Sequence, residues 1–266
     1  MSFLPHGQNS ESDGTKLEKL AYWASDFKRN GYVKLEQLIT QQQGKEICSE
    51  LKRWVGDNPT LTNYGIIQHN AWEHLSVCHE ILHQSTIGQT AAALLQAKSV
   101  YLFQDHMIWK PPNTRHQVDW HQDYSFWPLA SPSGVTIWIA LEDADQQNGC
   151  MSFIKHSHNW GNCQPTQFGG TDSDSELPPL KWQENQHLKE SIPLKAGFAV
   201  AHHPLNCHMS PPNNSTRHRR AWSLTFVPTN MRWKPSNASH PYNYFLKPTP
   251  GDSLDPNYFL RFDAQQ

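Results

Sequence analysis

Apolar positions change their spacing near residue 98. Before it they recur with a helical period. After it they come in short alternating or continuous runs. In the first part Ile47, Leu51, Trp54 and Val55 fall at i, i+4, i+7 and i+8, one face of a 3.6-residue period. Thr40 precedes them with Gln43 three positions on, the residue types of a capping box. A second stretch, 86–96, is rich in Ala and Leu, which lose little side-chain freedom in a helix. Residues 15–97 are therefore predicted to be mainly helical, after a polar and flexible stretch over 1–14. Beyond them the runs at 99–103, 107–109, 135–141, 151–154, 198–201 and 221–227 are β-branched or aromatic, and Pro, Gly, Asn and Asp clusters separate them. That spacing predicts a sandwich or barrel over 98–230 and not βαβ units. Residues 159–190 have little periodicity and much Gly, Ser, Asp, Gln and Pro, the texture expected of a lid over a site. Residues 231–266 are expected to wrap the surface, within one domain spanning 1–266.

Composition narrows the function classes. Lys and Arg number 22 against 24 Asp and Glu, a balance that suggests neither a nucleic-acid partner nor an anionic membrane surface. The chain has no long apolar run and no basic-then-apolar leader, which predicts a cytoplasmic protein. Five cysteines (48, 78, 150, 163 and 207) form no CxxC pair and suit a reducing compartment. The 16 His and 11 Trp supply metal ligands and aromatic walls.

The segment Asp119-Trp120-His121-Gln122-Asp123 carries the first candidate chemistry. On a strand, residues two apart share a face, so His121 and Asp123 would present an imidazole and a carboxylate to one ion. With 16 His and 13 Asp in 266 residues, roughly one His-x-Asp arises by chance, so the motif needs support. His208 offers it. Ser210 follows at +2 and Arg219 at +11, where the next strand should open. A second His completes a facial triad of the non-haem iron(II) type, and the planar fork of Arg219 suits the far carboxylate of a 2-oxo acid. Arg217, Arg219 and Arg220 together otherwise read as a solvated basic turn, the expected fate of two of the three. His202 and His203 are competing ligands, set against an alternative as buried strand-end histidines.

These residues resemble the phytanoyl-CoA dioxygenase family, to which ectoine hydroxylase belongs. The resemblance runs from about Phe27 to Pro228. It is carried by Phe27…Gly31-Tyr32-Val33, Trp120-His121-Gln122-Asp123, Trp138-Ile139-Ala140-Leu141, Asn148-Gly149-Cys150-Met151, Ser157-His158, and His208, Ser210, Asn213 and Arg219. Lys155-His156 departs from the family's Pro-Gly before the Ser-His turn. The resemblance implies a mainly β fold, a double-stranded β-helix or jelly roll with flanking N-terminal helices. It implies Fe(2+), 2-oxoglutarate and O2, with His121, Asp123 and His208 as ligands. Arg219 would grip the co-substrate with Ser210 assisting, and Lys110, Gln104 and Trp138 would stand near it, Trp138 equally readable as a core residue.

The activity so implied is hydroxylation of an unactivated C–H of a small polar or secondary metabolite, with release of succinate and CO2. Candidate substrate-wall residues are Tyr124, Phe126, Trp127, Trp72, Trp160 and His158. Adjacent Phe126 and Trp127 cannot both face inward on a regular strand. Asp123 argues against a halogenase, whose site is open at that ligand position. The remaining alternatives are a redox-inert cupin-type isomerase or lyase and a non-catalytic jelly-roll ligand-binding protein.

Overall fold

The Thr40 hydroxyl accepts from Gln43 N–H at 3.1 Å and the Gln43 side chain accepts from Thr40 N–H at 2.8 Å, closing the capping box of α2 (Gln41–Val55). Ile47 and Leu51 on its apolar stripe are buried, each side chain contributing roughly 1.5–3 kcal/mol. A Cβ added at Gly44 would stand 3.0 Å from the Leu141 carbonyl oxygen, so glycine lets this helix lie close to the strands below. Helices α1 (Ser10–Asn30), α4 (Ser76–Gln84) and α5 (Ile87–Leu94) add Trp23, Phe27, Ile81, Leu82 and Ala91 to the same apolar layer. The stretch predicted as mainly helical also holds strands β1 (Tyr32–Leu35) and β2 (Ile66–His69) and the short helix α3 (Ala71–His74). The computed structural model describes residues 10–57, 59–62, 64–163, 184–235 and 240–264. Residues 164–183, most of the expected lid, and residues 1–9 lie outside the described residues.

From residue 98 the chain is β. Its strands are β3 (Ser99–Lys110), β4 (Val118–His121), β5 (Val135–Ala140), β6 (Ser152–Ile154), β7 (Lys189–Ser191), β8 (Ala199–His202), β9 (His208–Ser210), β10 (Arg219–Pro228) and β11 (Arg261–Asp263). A seven-stranded sheet runs β1-β8-β5-β10-β3-β11 with β2 also paired to β3, and a four-stranded sheet runs β4-β9-β6-β7. Every pairing is antiparallel. The sheets meet face to face, with Tyr32 stacked on Phe153 at 4.8 Å and Trp138, Met151, Ile192, Leu194 and Val200 between them. This is the jelly roll expected, with the N-terminal helices on the back of the larger sheet. No helix among the described residues is long and apolar enough to cross a membrane.

The runs 99–103 and 107–109 join into one twelve-residue strand. The polar residues between them sit on opposite faces. Asp105 lies on the helix side, where it accepts from Trp222 Nε1 at 2.7 Å and from the Trp72 N–H at 3.2 Å. Burial pushes its carboxyl up to about 7 although the Trp222 bond opposes this. His106 faces the other sheet, and a bulge at Thr225/Phe226 shifts the pairing beside Gln104. After β10 the chain buries Trp233, Tyr242 and Phe259 against Phe103 and Trp127.

Candidate active site

Strand β4 ends at His121, and Asp123 opens a short 3-10 turn, Asp123–Phe126. The two side chains still converge, and His208 joins them from the start of β9, directly opposite His121 in the register. The three donor atoms lie within 4.8 Å of one another. His121 Nε2 and His208 Nε2 each stand 3.4 Å from Asp123 Oδ1. Cis donors on one ion with bonds of about 2.0–2.2 Å lie roughly 3 Å apart, so the set fits a metal ion.

Tautomers support that fit. His121 Nδ1 lies 2.8 Å from the Asp119 carbonyl oxygen and His208 Nδ1 lies 2.9 Å from that of Asn206. A carbonyl only accepts, so each Nδ1 carries a proton and each ring turns its Nε2, the nitrogen that can ligate, to Asp123. His202 is arranged the opposite way. Its Nε2 lies 3.1 Å from Asp123 Oδ2, an acceptor, and must donate there. That proton excludes His202 Nε2 as a ligand. His203 turns away to Phe27 and His158. Thr136 Oγ1 also donates to Asp123 Oδ2, at 2.9 Å. Burial alone raises the Asp123 carboxyl, but His208, His121 and His202 outweigh it and hold the group well below the usual range. Burial, with His208 alongside, lowers His121. Between the ligands, the Gln122 amide donates to the Gly161 and Leu205 carbonyls at 2.9 and 2.7 Å and accepts from Cys163 N–H at 2.7 Å.

Beside this cluster is a pair of buried basic side chains. Lys110 and Arg219 are direct cross-strand partners and only 0% and 1% exposed. Lys110 Nζ donates to Ser210 O, Ser210 Oγ and Pro211 O at 2.6–2.8 Å. Arg219 Nη2 donates to Ser210 Oγ at 3.1 Å, while its Nε and Nη1 are buried with no hydrogen-bond partner. The guanidinium lies over the Trp138 ring at 5.3 Å, and Trp138 Nε1 is likewise buried without a partner. Burial first, then Arg219, pushes the Lys110 ammonium down to about 5. Orphaned donors on a buried guanidinium cost several kcal/mol unless an anion satisfies them, so the residues fit a carboxylate ligand. Ala140 and Ala221, both small, are paired on the next row between this pair and the metal cluster. Arg217 and Arg220 pair instead with Asp145 and Glu142.

Two further rows cross this face. Gln104, Thr225, Thr136 and His202 form one, and His69, His106, Ser223 and Trp138 the other. His106 meets His69 edge-on at 4.5 Å and lies near enough to Asp123 to feel its charge. Burial drives His106 down to about 3 and His240 to about 4, so both rings are neutral. His240 Nδ1 accepts from the Tyr242 N–H, which leaves His240 Nε2 to donate to Gln104 Oε1 at 3.0 Å. Gln104 thus stands at the metal end of the face, away from Lys110. Thr136, His69 and His106 were missed by sequence reasoning, and His202 was weighed as a rival ligand or a buried strand-end histidine but not as a partner of Asp123. Alternation within VTIWIA marked Thr136 as facing Trp138's side, and nothing local marked the others.

The wall candidates disperse. Phe126 stands beside His121 at 6.4 Å. Trp127 packs in the core against Phe103, because the turn after Asp123 sends successive side chains to opposite sides. Tyr124 donates its hydroxyl to Leu129 O at 3.1 Å. Trp72 packs on the helix side and stacks on His79. Trp160 packs with Ile154 and Cys207. His158 Nε2 donates to the Lys28 carbonyl at 3.1 Å, which ties the Ser157-His158 turn to the end of α1. Trp127, Tyr124, Trp72 and His158 therefore do not gather at the cluster as expected, whereas Trp160 shares an apolar group with Trp120 and Cys207, the sequence neighbours of His121 and His208.

The profile described as Phytanoyl-CoA dioxygenase (PhyH) matches residues 27–221. A phytanoyl-CoA dioxygenase of Arabidopsis thaliana is 30% identical over 159 residues, 59% of this chain and 55% of the relative. Phytanoyl-CoA dioxygenase domain-containing protein 1 of Mus musculus is 30% identical over 201 residues, 72% of this chain and 65% of the relative. The match thus spans between half and two thirds of these relatives. Among solved structures, the non-heme alpha ketoglutarate dependent carbocyclase SnoK from nogalamycin biosynthesis superposes with a TM-score of 0.72 at 21% identity, over 90% of this chain and 95% of that one. EctD from S. alaskensis with 2-oxoglutarate and 5-hydroxyectoine gives 0.70 at 18% identity, over 88% and 85%. At such identities the superpositions establish the fold.

Proposed function

The chain belongs to the phytanoyl-CoA dioxygenase family, and from that premise we propose that it is an iron(II)- and 2-oxoglutarate-dependent oxygenase hydroxylating a C–H of a small polar molecule. His121, Asp123 and His208 would hold the iron. The observation that carries the reading is Arg219, a fully buried guanidinium with two donor nitrogens unsatisfied beside a converging His-Asp-His set. A redox-inert enzyme on this fold has no use for such a clamp. The co-substrate identity draws support from the EctD structure, which holds 2-oxoglutarate.

Iron with 2-oxoglutarate and O2 supplies the oxidising power to replace hydrogen by hydroxyl, giving succinate and CO2. The protein's part is placement. Arg219 and Lys110 receive the distal carboxylate, and Ser210 holds both cations in register. Trp138 offers its free Nε1–H along the chain of the co-substrate, and Ala140 and Ala221 make room for it. On the other flank, the cavity positions of β2 and β3 beyond Ile108 are Ile67, His69, His106 and Gln104, with no Lys, Arg, Asp or Glu among them. Neutral imidazoles and an amide recognise hydroxyl and carbonyl groups, so the substrate carries uncharged hydrogen-bonding groups where it meets this wall. Phe126 closes the His121 side.

The test is succinate formation in the absence of any added substrate. Anaerobically purified protein given iron(II), 2-oxoglutarate and air should form succinate slowly, and Arg219→Gln should suppress it at the same co-substrate concentration. No succinate above a metal-free blank from well-folded wild-type protein sinks the reading.

A further inference from the structure

Asp123 has two carboxylate oxygens, and the structure treats them differently. Oδ1 faces the Nε2 atoms of His121 and His208, both at 3.4 Å. Oδ2 accepts from Thr136 Oγ1 at 2.9 Å and from His202 Nε2 at 3.1 Å. We propose that Thr136 and His202 are positioning residues that tie Oδ2 back and hold Asp123 to a single-oxygen donor. The proposal rests on reading the cluster as the iron centre.

Why a restraint is useful follows from counting donors. A two-His-one-carboxylate set leaves three positions open when the carboxylate binds through one oxygen. A 2-oxo acid taken through its keto-acid end needs two, and O2 needs the third. A carboxylate free to swing would bind through both oxygens and compete with the co-substrate for a position. The anchors are themselves well held. Thr136 and His202 are cross-strand neighbours on β5 and β8, directly paired in register. Both are buried, at 4% and 1% exposure. Thr136 Oγ1 lies 3.3 Å from Thr225 Oγ1 on β10, in a row of the larger sheet that runs on through His202 to Tyr32. The ligand His residues, by contrast, sit on the smaller sheet and its connection. The larger sheet thus reaches Asp123 only through the oxygen turned from the other two ligands. His202's Nδ1 has no partner and is buried, so Oδ2 is the only hydrogen-bonded contact of this ring among the described residues.

The experiment needs no knowledge of the substrate. Wild-type protein, His202→Leu, His202→Gln and Thr136→Val are loaded anaerobically with iron(II) and titrated with 2-oxoglutarate. Iron stoichiometry, the visible charge-transfer band of the iron–2-oxo-acid chelate and the melting temperature are recorded. His202→Leu should keep its iron but require about tenfold or more co-substrate for half-saturation, the scale of one hydrogen bond to a charged group. His202→Gln, which retains a donor N–H, should recover most of the loss. Thr136→Val keeps shape without the hydroxyl and should weaken the chelate in the same direction, which also decides the matter if His202→Leu does not fold. Leu and Val variants whose titrations overlay the wild type, or a Gln variant as impaired as Leu, overturn the restraint alone. Wild-type protein that takes up iron but gives no chelate band overturns the iron-centre reading and the restraint with it.

Discussion

The two faces of the seven-stranded sheet are built from alternate residues of the same strands and differ in almost every respect. Toward the helices, β5 and β10 turn Ile137, Ile139, Trp222, Leu224 and Phe226, all buried and all apolar. Toward the smaller sheet they turn Thr136, Trp138, Arg219, Ser223 and Thr225. The helix side leaves Asp105 Oδ1 without a partner, whereas the cavity side leaves Arg219 Nε and Nη1, Trp138 Nε1 and His202 Nδ1. One face specifies the fold and the other keeps its polar atoms waiting for ligands. Period-two alternation lets both demands be met on one backbone without compromise.

That division can be broken most decisively by substitution on each side. Trp222→Ala should lower stability by roughly 3–5 kcal/mol, whereas Asp123→Ala should abolish iron uptake and turnover with a denaturation midpoint near the wild type. An Asp123→Ala protein as unstable as Trp222→Ala in chemical denaturation would show the faces are not separable. Next comes the clamp. Arg219→Gln should weaken 2-oxoglutarate binding by about tenfold to a hundredfold, the equivalent of roughly 1.5–3 kcal/mol. Arg217→Gln and Arg220→Gln, which lose only contacts to Asp145 and Glu142, should change it much less in the same titration. Equal losses from all three would replace the clamp by a diffuse basic patch.

A finer effect concerns protons. Lys110 is pushed down to about 5 in the free protein, by burial first and then by Arg219. A bound carboxylate favours its charged form and moves it back up. Binding at pH 7–8 should therefore take up close to one proton and weaken as pH rises through this window. Calorimetry in buffers of different ionisation enthalpy measures the uptake, and Lys110→Met should remove it. Last, Thr40→Ala removes the start of α2 on the fold side alone. It should cost about 1 kcal/mol in urea denaturation and leave co-substrate affinity unchanged.

How much of this was readable beforehand follows the same division. The helix-side face is continuous and apolar, so β5 and β10 were legible within two residues, as was the capped start of α2. The cavity face breaks the pattern. Gln104, Asp105 and His106 split β3 into two apparent runs, although the strand is unbroken. β1 and β2 are four residues each among helices, too short for a periodicity to register. The triad His121, Asp123 and His208 and the pair Arg219 and Ser210 were chosen by spacing and come together in the structure. Thr136 escaped, and His202 was read only as a rival ligand or a buried histidine, because a restraint on a ligand is set by cross-strand register, which no local pattern carries. The aromatic wall was largely misjudged for a related reason. Trp127 and Trp72 have the composition of a pocket lining, yet each finds apolar neighbours elsewhere and packs there.

The unanswered donors at the end of β10 have one more consequence. A buried guanidinium with two unpartnered nitrogens, facing a lysine whose charge burial suppresses, opposes folding until an anion arrives. Any dicarboxylate that binds the folded chain alone therefore raises its stability by RT ln(1 + [L]/Kd), about 2.7 kcal/mol at a hundredfold excess over Kd. Metabolic supply of the co-substrate then sets the lifetime of the protein as well as its rate, so that cells short of 2-oxo acid would hold less of it against thermal loss and proteolysis.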